Sequence, residues 1–305
     1  MKTLFPIQRE LVDSLREILL THSSGLNASA TGTGKTLMSV ELARDLGITP
    51  LVVCPKAVIN GWQRTFEEQG VPYLGIINYE KLRTGNSFYG SWEGPKPKKN
   101  ARDRRPFVYS EEVRFIIWDE VHRCKSPKSQ NSKMLRYAKG TDVRPMYNVL
   151  LSATAASDPT EMKASGYLLG LHEYINFAHW ARLLGCNFDP WNNLKFTESK
   201  KKATVYLKEL RESIYPEKGV KISRDQMAEF FSNTQLIDDP LDFGDDGAIA
   251  KLYDEMEVYI EELDAKEMMD NPDPAAEALI AMLRARQRVE LLKVSLIVEM
   301  IQEAV

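Results

Sequence analysis

Apolar residues recur along this 305-residue chain with two different periods. Over residues 3–20, Leu4, Ile7, Leu11, Leu15, Ile18 and Leu19 return every three or four positions, which predicts an amphipathic helix. Four short apolar runs, near 50–54, 73–77, 113–118 and 146–151, are too short for helices and predict buried strands. Helical stretches, Thr36 to Leu46 among them, separate these runs. Strands alternating with helices predict an α/β fold around a parallel sheet.

The pattern changes in two places. Residues 84–110 hold Gly85, Gly90, Gly94, Pro95, Pro97 and Pro106, which interrupt regular structure. Lys96, Lys98, Lys99, Arg102, Arg104 and Arg105 lie among Phe88, Tyr89, Trp92, Phe107 and Tyr109 there. Two readings follow: a basic excursion that grips a nucleic-acid backbone with aromatics free to wedge or stack, or a solvated, partly disordered insertion. After Thr154 the chain turns polar and mostly helical, with Lys200, Lys201 and Lys202 reading as a solvated face. A linker is expected over 238–247, a helix over 249–263 with its Met and Tyr positions in a core, and a last helix from about 275. Arg284, Arg286 and Arg288 on that helix read as surface charge or as phosphate contacts.

Three stretches carry chemistry. Residues 29–36 read Ser-Ala-Thr-Gly-Thr-Gly-Lys-Thr, a phosphate-binding loop with Ser29 where the full pattern has glycine. Thr31, Gly32, Thr33, Gly34, Lys35 and Thr36 would surround a nucleotide, backbone N–H groups and the helix N-terminus facing its phosphates. Lys35 would reach the β- and γ-phosphates, and the Thr36 hydroxyl would hold Mg²⁺. The apolar run 113–118 leads into Asp119-Glu120-Val121-His122. Asp119 would hold the ion, and Glu120 would orient and deprotonate a water. The alternative is an idle acidic pair at a strand end. A third run, Val149-Leu150-Leu151, ends in Ser152-Ala153-Thr154, whose hydroxyls could sense the γ-phosphate.

In this order and spacing, the three stretches resemble helicase superfamily 2, and within it the Snf2-type double-stranded DNA translocases. Phe5-Pro6-Ile7-Gln8 precedes the loop where the family keeps an adenine-reading glutamine, so Gln8 takes that role by resemblance. Leu51 to Lys56 with Trp62, Ile76 to Glu80, and Asp119 to Ser126 followed by Ser129 and Ser132 are similar to further family motifs. The glycine-loop prefix is Ser-Ala-Thr instead of Asp-Glu-Met. The third motif is Ser-Ala-Thr instead of Gly-Thr, as in strand-separating helicases, so translocation and unwinding both stay open. The likeness is carried by residues 1 to about 160.

The resemblance implies a RecA-like parallel sheet flanked by helices over residues 1–160, with a mainly helical extension over 161–305. It implies ATP and Mg²⁺ as cofactors. His122, Ser152 and Thr154 would couple the nucleotide state to the grip on nucleic acid. Lys56, Asn78, Tyr79, Lys125 and Lys128 would face that nucleic acid, with double-stranded DNA as the first choice and contacts to phosphate rather than base. Superfamily 2 motors have two lobes, the second supplying an arginine finger worth roughly 10³–10⁵ in rate in other nucleotidases. Nothing after residue 160 reads as that lobe, so the chain is expected to be the first lobe of a longer polypeptide, binding ATP and hydrolysing it slowly. A nucleotide-switched interaction module, or the motor subunit of a restriction system, are the other readings.

Composition changes little of this. The net charge is −3, but residues 236–280 carry 15 Asp or Glu against 2 Lys. The remainder is therefore net +10, and a local basic face can still hold phosphates. No apolar run is long enough to span a bilayer, and the first residues lack a signal core. Cys54, Cys124 and Cys186 have no metal-ligand spacing and read as free or buried thiols of a reducing compartment. A cytoplasmic or nucleoid-associated protein of phage or bacterial source is expected, with no membrane partner.

Overall fold

Helix α1 (Pro6–His22) opens the fold with proline in its first turn, where no backbone donor is needed. The computed structural model describes residues 2–97, 105–141, 143–154, 158–227 and 230, with single positions 251, 254, 255 and 258. The chain forms two compact units, Met1–Asn233 and Thr234–Val305. The expected linker over 238–247, the helix from 275, and Arg284, Arg286 and Arg288 lie outside the described residues. So do Lys98, Lys99, Arg102 and Arg104. Of the 249–263 helix only the four single positions are described, and they are helical.

After α1 come β1 (Ser24–Asn27), α2 (Lys35–Leu46), β2 (Leu51–Cys54), α3 (Ile59–Gln69), β3 (Gly75–Asn78) and α4 (Tyr79–Leu82). A hairpin, β4 (Gly90–Trp92) and β5 (Phe107–Tyr109), precedes β6 (Phe115–Asp119), α5 (Gln130–Tyr137) and β7 (Tyr147–Leu151). Then follow α6 (Ser165–Leu168), α7 (Phe177–Leu183), a second hairpin of β8 (Cys186–Phe188) and β9 (Leu194–Phe196), α8 (Lys200–Glu212), β10 (Gly219–Val220) and α9 (Arg224–Met227). Six strands form one parallel sheet in the order β10-β1-β7-β6-β2-β3. This is the RecA-like α/β architecture.

Period-two alternation divides each central strand between two cores. Val52, Cys54, Phe115, Ile117, Val149 and Leu151 face the helices α1, α2 and α3. Leu51, Val53, Ile116, Trp118 and Leu150 face α5, α6, α8 and the first hairpin. Burial on both faces is why these strands read as unbroken apolar runs. Trp118 is fully buried and its indole donates to Asn148 Oδ1 at 3.1 Å, tying β6 to β7. Removing such a side chain to alanine costs about 3–5 kcal/mol.

Two sheet strands escape the apolar pattern. Strand β1 is Ser-Gly-Leu-Asn because α1 lies directly on it: a Cβ at Gly25 would meet Leu15 Cδ1 at 2.8 Å and Ile18 Cγ2 at 3.0 Å. The other, β10, is two residues long and comes from the region read as mostly helical. The hairpin β8–β9 likewise interrupts that helical stretch. No helix among the described residues is long and apolar enough to cross a membrane. All three cysteines are buried free thiols, and burial pushes that of Cys54 up to about 12.

Candidate active site

The phosphate loop leaves the carboxyl end of β1, the place where open α/β sheets bind ligands. Gly32 and Gly34 adopt φ of 84° and 85°, a conformation that needs glycine. Gly34 is doubly required, since a Cβ there would lie 2.6 Å from Gln8 Nε2. The N–H groups of Lys35 and Thr36 open the first turn of α2, where no preceding turn accepts them. Lys35 Nζ folds over the loop and donates to the carbonyls of Ser29 (2.9 Å) and Ala30 (3.0 Å). Burial lowers its pKa, opposed by the charges of Glu120 and Asp119. Thr33 is buried, its hydroxyl donating to Ala30 O at 2.7 Å.

Gln8, buried in α1, donates to Thr33 O at 2.8 Å and accepts from Phe5 N at 2.9 Å. One N–H of its amide is thus used in holding the loop and one lone pair in capping α1, and one of each remains. Ser29 has a structural role that the motif pattern does not reveal. Its buried hydroxyl accepts from Ile222 N at 3.0 Å, while Ala30 N donates to Ile222 O at 3.0 Å. The segment after β10 is therefore stitched to the loop. Arg224 adds a bond to the Thr31 hydroxyl at 2.8 Å. Asn27 Oδ1 accepts from Ser29 N at 3.1 Å, and its carbonyl accepts from Ser152 N at 3.3 Å.

Asp119 closes β6. Its Oδ2 accepts the indole N–H of Trp62 at 2.8 Å, and Tyr79 donates its hydroxyl to the Asp119 carbonyl at 2.8 Å. Burial raises the Asp119 pKa above its ordinary value, and the Trp62 bond works against that rise. Glu120 sits at φ 52°, ψ 52°, a left-handed conformation that non-glycine residues adopt at a cost of order 1–3 kcal/mol and mostly at functional sites. Its Oε2 lies 3.0 Å from His122 Nδ1, which also lies 3.3 Å from Ser152 Oγ. Ser152 Oγ in turn accepts from Thr154 N at 3.3 Å. The loop, the acidic pair and the Ser-Ala-Thr strand end are thus one hydrogen-bonded set.

The donors suit a hard divalent ion. Asp119 Oδ2 is held by Trp62, and Thr36 supplies a hydroxyl in the first turn of α2. No cluster of three or more His, Cys, Asp or Glu among the described residues could hold a metal unaided. Mg²⁺ ordinarily takes one or two protein oxygens and completes its shell with phosphates and water.

The residues assigned to the nucleic-acid side are less uniform. Lys56 is exposed in the 3-10 turn Lys56–Val58 after β2. Asn78 caps α4, its side chain accepting from Lys81 N. Lys125 pairs with Glu161 at 2.9 Å, and Lys128 is exposed. Tyr79 is a correction: it is fully buried against Trp118 with its hydroxyl bound to Asp119, so it offers no surface to a nucleic acid. The aromatics of 84–110 need the same correction. Phe107 and Tyr109 are buried, Tyr109 donating to Met134 O at 2.9 Å, and Trp92 packs edge-on against Phe107. They anchor the hairpin to the core and are not free to stack, whereas Phe88 remains exposed.

Comparison with known proteins places the chain in a family and agrees with its fold. The family described as "Type III restriction enzyme, res subunit" matches residues 1–157, and the chain belongs to it. The Acanthamoeba polyphaga mimivirus protein named "Putative ATP-dependent RNA helicase" is 29% identical over 327 residues, 98% of this chain and 58% of that protein. The human "SWI/SNF-related matrix-associated actin-dependent regulator of chromatin subfamily A member 1" is 23% identical over 154 residues, 45% of this chain and 15% of that protein. Among solved structures, the Sulfolobus solfataricus SWI2/SNF2 ATPase core in complex with dsDNA shares the fold. Its TM-score is 0.51 at 15% identity, covering 94% of this chain and 58% of that one.

Proposed function

We propose that this member of the res-subunit family is the ATP-binding lobe of a superfamily 2 nucleic-acid motor that acts on DNA. The observation that carries the proposal is the hydrogen-bonded chain from Glu120 through His122 to Ser152 and Thr154. A passive nucleotide switch needs a phosphate loop. It does not need a strained glutamate beside that loop, wired to a third strand end.

In this reading the N–H groups that start α2, with Lys35, hold the phosphates of ATP, and Gln8 keeps the loop in shape while its remaining amide valences face adenine. Thr36 and Asp119 hold Mg²⁺, which neutralises charge on the phosphates. Glu120 accepts the proton of the attacking water. His122, which meets both Glu120 and Ser152, passes the state of that glutamate to Thr154. Lys56, Lys125 and Lys128 sit on the nucleic-acid side. A second lobe of the same polypeptide completes the cleft, in keeping with the chain spanning 58% of its mimivirus relative.

ATP hydrolysis with and without duplex DNA, single-stranded DNA and RNA tests this, with Glu120→Gln as the blank. The proposal expects slow hydrolysis above the blank, raised by DNA. A rate equal to the blank with every nucleic acid overturns it. The family description favours one second reading, the motor subunit of a restriction system. Its mark is DNA cleavage or methylation by a partner that co-purifies with the whole protein.

A further inference from the structure

An open groove of about 540 Å³ lies between the loop after β6 and the β8–β9 hairpin. Lys125, Lys128 and Lys163 line it, together with Phe177, Phe188 and Asn193. Its size is within the range of small-molecule pockets, about 300–1,000 Å³.

Three features bear on its occupant. The first is charge. The lining includes three lysines against one carboxylate, Glu161. Lys125 is bound to that carboxylate but its side chain is 55% exposed, and so wet an ion pair is weak enough for a phosphate to compete.

The second is aromatic surface. Phe188 is 48% exposed and Trp191, at the hairpin tip, 78% exposed. The tip is not slack. Asp189 Oδ1 accepts from Trp191 N (3.0 Å) and Asn193 N (2.8 Å), and Asp189 exchanges a further backbone bond with Asn193 at 2.9 Å. The indole is thus carried outward on a hydrogen-bonded turn, so the backbone that bears it needs no ordering when something stacks on the ring.

The third is position. Lys125 lies three residues beyond His122, and Thr160 on the groove wall lies six beyond Thr154. Two stretches of the lining thus follow closely, in sequence, the two segments joined by the His122–Ser152 contact.

Cations beside open ring faces match a strand whose phosphates alternate with flat bases. An apolar peptide would bring no anion to Lys125 or Lys128, and a lipid surface is too flat for a concave groove. We propose that the groove and hairpin hold one strand of nucleic acid, phosphates on Lys125 and Lys128 and an unstacked base on Phe188 or Trp191. This rests on the nucleic-acid motor reading above and deepens it. A base reaches a ring face only after leaving the duplex, so the site selects strand separation over tracking along an intact duplex.

The test uses the whole chain, a fluorescein-labelled oligothymidylate and a blunt duplex of equal length, read by anisotropy. The variant is Phe188→Ala with Trp191→Ala; both positions are exposed, and circular dichroism checks the fold. Its affinity for the oligothymidylate should fall about 5- to 150-fold, with duplex affinity nearly unchanged. Oligothymidylate should also quench tryptophan emission in the parent chain and lose that component in Trp191→Phe. If the parent chain binds oligothymidylate and the double variant binds it equally well, the inference is overturned while the motor reading stands. Equal weakening on duplex and single strand overturns the strand-selective part. If the parent chain binds neither nucleic acid but binds phosphatidylserine vesicles through the hairpin, both readings fall.

Discussion

The indole N–H of Trp62 meets Asp119 Oδ2 at 2.8 Å across 57 positions of sequence, and so restrains the carboxylate at the end of β6. Trp62 is fully buried, leaning on Phe66 within α3. Trp62→Phe keeps most of that packing and removes the bond. Partners that orient a metal ligand typically contribute 10- to 100-fold in metal affinity, so the Mg²⁺ concentration for half-maximal hydrolysis should rise about tenfold or more. An unchanged Mg²⁺ dependence would show that the indole only fills space.

Burial pushes the Asp119 carboxyl above its ordinary value. A carboxyl shifted this way favours the fold below its unfolded pKa, and that contribution is lost as pH rises through the folded pKa. At neutral pH the ionised group therefore weighs against folding. Asp119→Asn keeps an oxygen for Trp62 and sheds the charge. It should abolish hydrolysis while raising the Tm of the metal-free protein at pH 7, by roughly 2–4 °C per kcal/mol gained. A lower Tm for Asp119→Asn in calorimetry at pH 7 would contradict this.

Ser29 is where the phosphate loop departs from its pattern, and its hydroxyl is spoken for by Ile222 N. Ser29→Ala leaves a buried N–H without an acceptor, which costs about 1–3 kcal/mol. The Tm should fall by several degrees, and Ser29→Gly, the residue that the pattern calls for, should fall as far. A neutral or stabilising Ser29→Gly would mean that the stitch to β10 carries no energy.

Ser152 is buried at the junction of His122 and Thr154. Ser152→Ala breaks both contacts. If these hydrogen bonds carry the coupling, the ratio of DNA-stimulated to unstimulated hydrolysis should drop about 2- to 10-fold, the value of one ordinary hydrogen bond. A preserved ratio would place the coupling elsewhere.

What was legible in the sequence is what burial writes into it. Strands β2, β6 and β7 are buried on both faces and read as apolar runs, and α1 shows its stripe through Leu15, Ile18 and Leu19, with Val12 buried beside them. Strand β1 was illegible because close packing of α1 demands glycine where a strand would carry a branched side chain. Two-residue β10 is too short to carry any period, and the three-residue strands of hairpin β8–β9 turn just Cys186, Leu194 and Phe196 towards apolar neighbours. The motif residues were legible by type, but their second partners were not. Arg224 and Ile222 reach the loop from 193 positions away, a distance that no local pattern reports. Tyr79 misled because a motif likeness marks a place along the chain and not the burial that the fold imposes there.

The central claim is that the loop at 29–36 and the carboxylates at 119–120 form one site for ATP and Mg²⁺. Calorimetric titration of the chain with Mg²⁺-ATP, alongside Lys35→Ala, tests it most directly. The account predicts one nucleotide bound per chain, and its loss in Lys35→Ala while thermal unfolding still shows a folded protein. Equal affinity in the two proteins would place the nucleotide somewhere else and contradict the account at its root.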